Sequence, residues 1–139
     1  MAEEIQCANK LKAIGIAFRL WSTDHGDSFP FNLRRSEDGT KEFATLAPDG
    51  FDRNAWRHFQ ALSNELATPK VLVCPSDRSK RSAPDFRSLG PDNVSYQLQT
   101  GTNVDENHPD TVLARCPIHG TVLVCDGSVR QVALTNAPR

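Results

Sequence analysis

The sequence predicts an α+β fold: an N-terminal amphipathic α-helix packed on a small, mainly antiparallel β-sheet, with a second short helix and long loops. Three observations predict it. Cys7, Leu11, Ile14, Phe18 and Trp21 recur at spacings of four, three, four and three, one stripe of a helix. Thr121-Val122-Leu123-Val124-Cys125 and Ser128-Val129-Arg130-Gln131-Val132 flank Asp126-Gly127, the signature of a two-residue type I′ hairpin in which both central residues take positive φ. Val94-Ser95-Tyr96-Gln97-Leu98 alternates apolar and polar residues like a half-buried strand.

The first helix is predicted from about Glu3 to His25, with acidic residues in its first turn, Gly26 as the residue just past its end and Phe29-Pro30 blocking any continuation. No N-cap precedes Ile5, so the helix reads as cut rather than started. Ile16 and Leu20 lie off the stripe and are expected at the surface. Residues 30–52 read mostly as loop, with Glu42-Phe43-Ala44-Thr45-Leu46 open to a short strand or an irregular excursion. Trp56, Phe59, Leu62 and Leu66 give a second helix from Asn54 to Ala67, capped by Asp52 or Asn54 and stopped by Pro69. The run Lys70-Val71-Leu72-Val73-Cys74 reads as a strand entering the Pro75-Ser76-Asp77 turn. Residues 77–92 are polar, and Val112-Leu113-Ala114 adds a short strand.

The chain has 139 residues, the size of a single domain, here taken as 1–139. Sixteen basic residues against seventeen acidic ones leave a net charge of −1, which gives no field to steer the protein toward nucleic acid. No apolar run reaches the ~20 residues that span a bilayer, and the chain as it stands is expected to be soluble. Four cysteines, Cys7, Cys74, Cys116 and Cys125, suit either disulfides in an oxidising compartment or free thiols in a reducing one.

Two Cys-Pro turns, Cys74-Pro75-Ser76-Asp77 and Cys116-Pro117-Ile118-His119, offer two thiolates, an imidazole and a carboxylate to a tetrahedral metal. Asp77 in place of a third soft ligand counts against zinc, so a disulfide or buried thiols are expected and no zinc cofactor. His119, Asp126 and Ser128 supply the residue types of a hydrolase triad, but no strand-elbow-helix motif surrounds Ser128, and an enzyme is not expected. His25, His58 and His108 stand among polar residues and read as solvent-facing or capping. Asp105, Glu106 and Asp110 gather hard oxygen donors in one loop; their spacing does not match an EF-hand, and a solvated acidic loop is the expected state.

Five segments carry a family resemblance. Ile5-Gln6-Cys7-Ala8-Asn9-Lys10-Leu11-Lys12-Ala13-Ile14-Gly15-Ile16-Ala17-Phe18 resembles the stretch that follows the membrane helix of type IV pilin-like pseudopilins, the general (type II) secretion group abundant in Verrucomicrobia and Planctomycetes. Asp24-His25-Gly26-Asp27-Ser28-Phe29-Pro30 resembles the turn that closes their first helix, and Val73-Cys74-Pro75-Ser76-Asp77 their Cys-Pro-Ser-Asp motif. Asn93-Val94-Ser95-Tyr96 resembles their Ser-Tyr strand, and His119-Gly120 through Asp126-Gly127-Ser128-Val129 their prepilin-type His…Asp-Gly ending. Six residues rather than the family's nine separate His119 from Asp126, which points to a related subfamily.

The resemblance implies a pilin-like domain in which residues 1–26 are the C-terminal half of a longer helix and 27–139 the globular part. It implies a structural subunit of a pseudopilus filament, membrane-anchored in its full-length form by an apolar helix that a start at Met1-Ala2 would delete. Such a subunit matures from a prepilin in the inner membrane and works in the periplasm or a cell-surface filament. Its partners are other pilin-like subunits and inner-membrane components of a protein-transport system. Ile5, Ile16 and Leu20 are then the filament interface. Among disulfides the resemblance points first to Cys7 with Cys74, and from the family's calcium-holding loop it makes Asp105, Glu106 and Asp110 calcium candidates. Two other functions fit the sequence: an envelope-displayed module whose loops at 30–52 and 77–110 bind calcium or polysaccharide, and a small zinc-binding protein.

Overall fold

The computed structural model describes residues 2–131, and Val132 of the predicted last strand lies outside them. Helix α1 spans Ala2–Thr23 and buries Cys7, Leu11, Ile14, Phe18 and Trp21, the predicted stripe. Its end matches a left-handed C-terminal motif: Gly26 takes φ 68° and the Asp27 N–H reaches back to the Ser22 carbonyl at 2.8 Å. The outer face is also apolar in places, so the helix is less amphipathic than its stripe suggests. Ile5, Ile16 and Leu20 are 63%, 53% and 54% exposed, and at 100° per residue they fall within about 60° of one another around the helix.

The sheet is a four-stranded antiparallel meander, β1 (Gln97–Leu98), β2 (Val112–Arg115), β3 (Thr121–Val124) and β4 (Val129–Gln131), ordered as in the chain. Leu98 pairs with Ala114, Arg115 with Val122 and Leu123 with Val129. Strand β3 is buried along its whole length, and α1 packs on it. Gly15 makes the close approach: a Cβ there would stand 2.7 Å from Leu123 Cδ1. Behind the helix, the Phe18 ring meets Phe29, Phe31 and Phe59 edge-on with centroids 5.3–6.1 Å apart, fixing the 30–60 region against α1. These observations establish an N-terminal helix over a small antiparallel sheet, an α+β architecture.

Four local expectations need correction. The hairpin between β3 and β4 exists, but its loop has three residues. The Gly127 N–H bonds the Val124 carbonyl (2.9 Å), the Val124 N–H bonds the Ser128 carbonyl (3.0 Å), and only Gly127 (φ 92°) is left-handed. This is a turn followed by a glycine bulge; Asp126 keeps negative φ and uses its carboxylate to accept from the Ser128 N–H and hydroxyl. The second helix divides into α2 (Ala55–Gln60) and α3 (Ser63–Leu66) at a tightened turn, Leu62 N–H to Phe59 carbonyl at 2.9 Å, after which α3 lies against α1.

The predicted strand at Lys70–Cys74 is instead a 3₁₀ turn, Pro69–Leu72. Pro69 sets a helical φ at its first position and the Thr68 hydroxyl accepts from the Lys70 N–H, which outweighs the β preference of two valines. The alternating stretch at Val94 contributes only Gln97 and Leu98 to the sheet, because Tyr96 turns inward to α1. Residues 30–52 form three short 3₁₀ turns and an isolated bridge between Leu46 and Asp52, in keeping with a mostly irregular excursion.

Candidate metal centre

Four soft donors from three parts of the chain converge beside the first turns of α1. Cys7 comes from the buried face of the helix, Cys74 from the segment after the 3₁₀ turn, Cys116 from the end of β2, and His119 from the tight turn between β2 and β3. Cys74 Sγ and Cys116 Sγ are 3.7 Å apart, and His119 Nδ1 is 3.5 Å from the first and 3.7 Å from the second. With Cys7 Sγ, all four ligand atoms lie within 4.8 Å of one another. The three cysteines are buried, each as a free thiol, and His119 is half-buried.

The local sequence explains the turn that presents Cys116 and His119. Pro117 directs the chain out of β2, the Gly120 N–H closes onto the Cys116 carbonyl at 2.9 Å, and Gly120 takes φ 75°, where a Cβ would be strained. The fold of the turn points the His119 N–H at Cys116 Sγ, 3.4 Å away. Each sulfur has such an outside donor: the Ser76 N–H on Cys74, and the Tyr96 hydroxyl on Cys7 at 3.4 Å.

The hydrogen bond from the Cys7 thiol, followed by the N–H groups of His119 and Ile118, draws the Cys116 thiol down to about 5 against the effect of burial. Cys7, donating that bond and buried, is pushed up, and burial pushes Cys74 up.

A further layer orients the ligands. His119 Nε2 lies 3.3 Å from Ser76 Oγ, and the Ser76 hydroxyl in turn donates to the Glu3 carboxylate at 2.5 Å. This chain fixes which ring nitrogen faces the sulfurs. The Cys74 N–H bonds Ser95 Oγ at 2.9 Å, and Lys10 Nζ donates to the Val73 carbonyl at 2.8 Å, tying α1 to the Cys74 segment.

Sequence reasoning found three of the four donors and misplaced the fourth. Asp77 is not a ligand; its carboxylate accepts the N–H and hydroxyl of Ser79. Cys7, expected on the core stripe and as a disulfide partner of Cys74, is instead a free thiol that completes a Cys3His set, and the expectation against zinc, which rested on Asp77, loses its basis. The signal was Cys116-x-x-His119 together with a cysteine on the buried helix stripe. Cys125 stands apart: it is buried, its thiol pushed up to about 12 by burial and then by the nearby Asp105 and Asp126 charges.

The acidic loop does not form one ligand group. Glu106 accepts from the Ser22 hydroxyl (2.6 Å), Asp105 holds His108 Nδ1 (2.7 Å) and the Asn107 N–H, and Asp110 pairs with Arg130 (2.9 Å). Nor do His119, Asp126 and Ser128 assemble as a triad, since Asp126 bonds Ser128 within the hairpin loop and His119 faces the cysteines.

His58, expected near solvent, is wholly buried. Its Nε2 donates to Asp52 Oδ2 at 3.0 Å and its Nδ1 meets the Thr40 hydroxyl at 2.6 Å, while Thr100 donates to the same carboxylate at 2.8 Å. His25 stacks on Trp21 at 3.6 Å between centroids, and His108 remains at the surface beside Asp105.

No protein-family model, curated protein or solved structure matches the chain.

Proposed function

We propose that the protein is a structural subunit of a pilus-like filament of a type II secretion or type IV pilus-related system, with a pilin-like fold. The observation that carries this reading is the outer face of α1. Ile5, Ile16 and Leu20 are each more than half exposed on one side of a helix whose opposite side is fully packed. Isolated exposed apolar residues are ordinary, but three on one side of a helix, spread over about four turns, form a seam that a neighbouring helix can cover. The helix-over-meander architecture and the five resembling segments support the same reading. Among the described residues no helix is long and apolar enough to cross a membrane, so an anchor would have to be encoded outside them. The carboxylates at Asp105, Glu106 and Asp110 are engaged with protein partners and supply no comparable argument for a calcium-binding module.

The experiment has two parts. The genomic reading frame ahead of the Ala2 codon is expected to encode a prepilin cleavage signal and an apolar helix of ~20 residues. With a photo-crosslinking residue at Ile16 or Leu20 of that full-length protein, irradiated cells are expected to yield a ladder of multimers. A gene that starts at Met1, or a full-length protein that stays monomeric with the probe at both positions, would overturn the reading.

A further inference from the structure

We propose that Cys7, Cys74 and Cys116 through sulfur and His119 through Nδ1 bind one zinc ion, which fastens α1 to the sheet and to the Cys74 segment. This inference is independent of the filament reading.

Geometry is the first argument. Around a tetrahedral zinc with Zn–S of about 2.3 Å and Zn–N of about 2.0–2.1 Å, neighbouring sulfurs stand about 3.8 Å apart and sulfur and nitrogen about 3.6 Å. The three distances among Cys74, Cys116 and His119 are 3.7, 3.5 and 3.7 Å, so these donors already occupy three corners of such a tetrahedron. Cys7 Sγ lies within 4.8 Å of all three and supplies the fourth donor. The same compactness argues against an iron–sulfur cluster, whose irons and sulfides have to fit between the protein ligands.

The second argument is the surrounding layer. The N–H and O–H groups of Ser76, His119 and Tyr96 are aimed at sulfur, which stabilises thiolate, and the His119–Ser76–Glu3 chain leaves Nδ1 as the ligating nitrogen. Three thiolates, a neutral imidazole and one divalent cation give a centre of formal charge −1. The third argument is the convergence of the chain. The segments around Cys7, Cys74, Ser95-Tyr96 and His119 are far apart in the chain, and all of them meet here. Together they supply two ligand turns, a ligand on the helix, and the residues that hydrogen-bond them.

The test is metal analysis of the purified protein by inductively coupled plasma mass spectrometry, with an intact mass under non-reducing conditions. One zinc per chain and four reduced cysteines are expected. Cobalt exchanged into the site should give the intense visible bands of tetrahedral cobalt thiolate, and His119→Cys should retain the metal while strengthening the sulfur-to-cobalt charge-transfer band. Cys125→Ser should keep full zinc. Chelation should lower the melting temperature by more than about 10 °C. A disulfide among Cys7, Cys74 and Cys116 in freshly prepared protein, copper as the resident metal, or a cobalt spectrum that His119→Cys leaves unchanged would each overturn the proposal. The cobalt spectrum of the unsubstituted protein keeps the question decidable even if a Cys116→Ser chain fails to fold.

Discussion

Two buried polar clusters flank the core of this domain, and they are solved in opposite ways. Around Asp52 every polar atom finds a partner of complementary kind. One carboxylate oxygen takes the N–H groups of Thr45 and Asn54, the other takes His58 and Thr100, and the far side of the His58 ring meets Thr40. That cluster is complete once the chain has folded. The Cys7–Cys74–Cys116–His119 cluster gathers three sulfurs and one imidazole, with sulfur facing sulfur at 3.7 Å and only weak thiol contacts between them, beside the donors that reach in from His119 N–H and the Tyr96 hydroxyl. Like groups do not repay the entropy of being brought to one point, whereas a divalent cation among them would. Chemical complementarity separates the two clusters, and burial is common to both.

That contrast can be broken first at the cysteines. Removing zinc with a strong chelator, or substituting Cys74→Ser, is expected to cost most, with the cooperative melt lowered by more than about 10 °C or abolished. Calorimetry with and without added zinc checks it, and zinc should restore the unsubstituted chain alone.

His58→Ala addresses the other cluster. It leaves the Asp52 carboxylate buried without its main partner and is expected to destabilise the fold by about 3–5 kcal/mol in urea titrations, with the metal content of the folded fraction unchanged. Equal loss of metal would show that the two clusters are one cooperative unit.

A smaller effect comes from Asp52→Asn, and its pH dependence has a definite sign. Burial raises the Asp52 carboxyl, but the bonds from His58, Asn54, Thr45 and Thr100 prevail and hold it at about 2, below the ordinary 3.8. A lowered folded-state value means stability that is present above about pH 4 and lost as the pH falls toward 2. The difference corresponds to about 2 kcal/mol. Denaturation curves should show the unsubstituted protein ahead of the asparagine variant by that amount at pH 6, and level with it near pH 2.

The smallest expected change is from Ser76→Ala, which removes the link between His119 and Glu3. Zinc affinity measured by competition with a chromophoric chelator should fall about tenfold, with the fold retained.

What was legible in the sequence follows from how local each constraint is. The α1 stripe was readable because helical period lies within the segment, and the hairpin because turn residues and flanking strands are contiguous. Its loop type was not, since the choice between a two-residue turn and a glycine bulge is set by pairing of Val124 with Ser128 and by α1 packed at Gly15 against Leu123. The Lys70–Cys74 run misled because its β-branched residues are visible in sequence, while its lack of a neighbouring strand is a tertiary fact. His58 looked like a surface residue for the same reason: Thr40 and Thr100, which make its burial tolerable, are far away in the chain. At the metal centre the Cys116-x-x-His119 pair was visible, but Cys7, distant in sequence, was claimed by the helix stripe, and Asp77 stood in its place. Periodicity reports that a cysteine is buried; it is silent on what it is buried against.

The position of Cys7 near the start of α1 has a mechanical consequence. The Glu3–Ser76 bond, Cys7 itself and the Lys10–Val73 bond all attach the opening turns of the helix to the rest of the molecule. A pull on the N-terminal end of α1 therefore loads these attachments before it reaches the aromatic packing around Phe18. With zinc in place, the joint directly behind the Glu3–Ser76 bond is made of metal–thiolate bonds, and the helix resists being peeled from the end where the force enters.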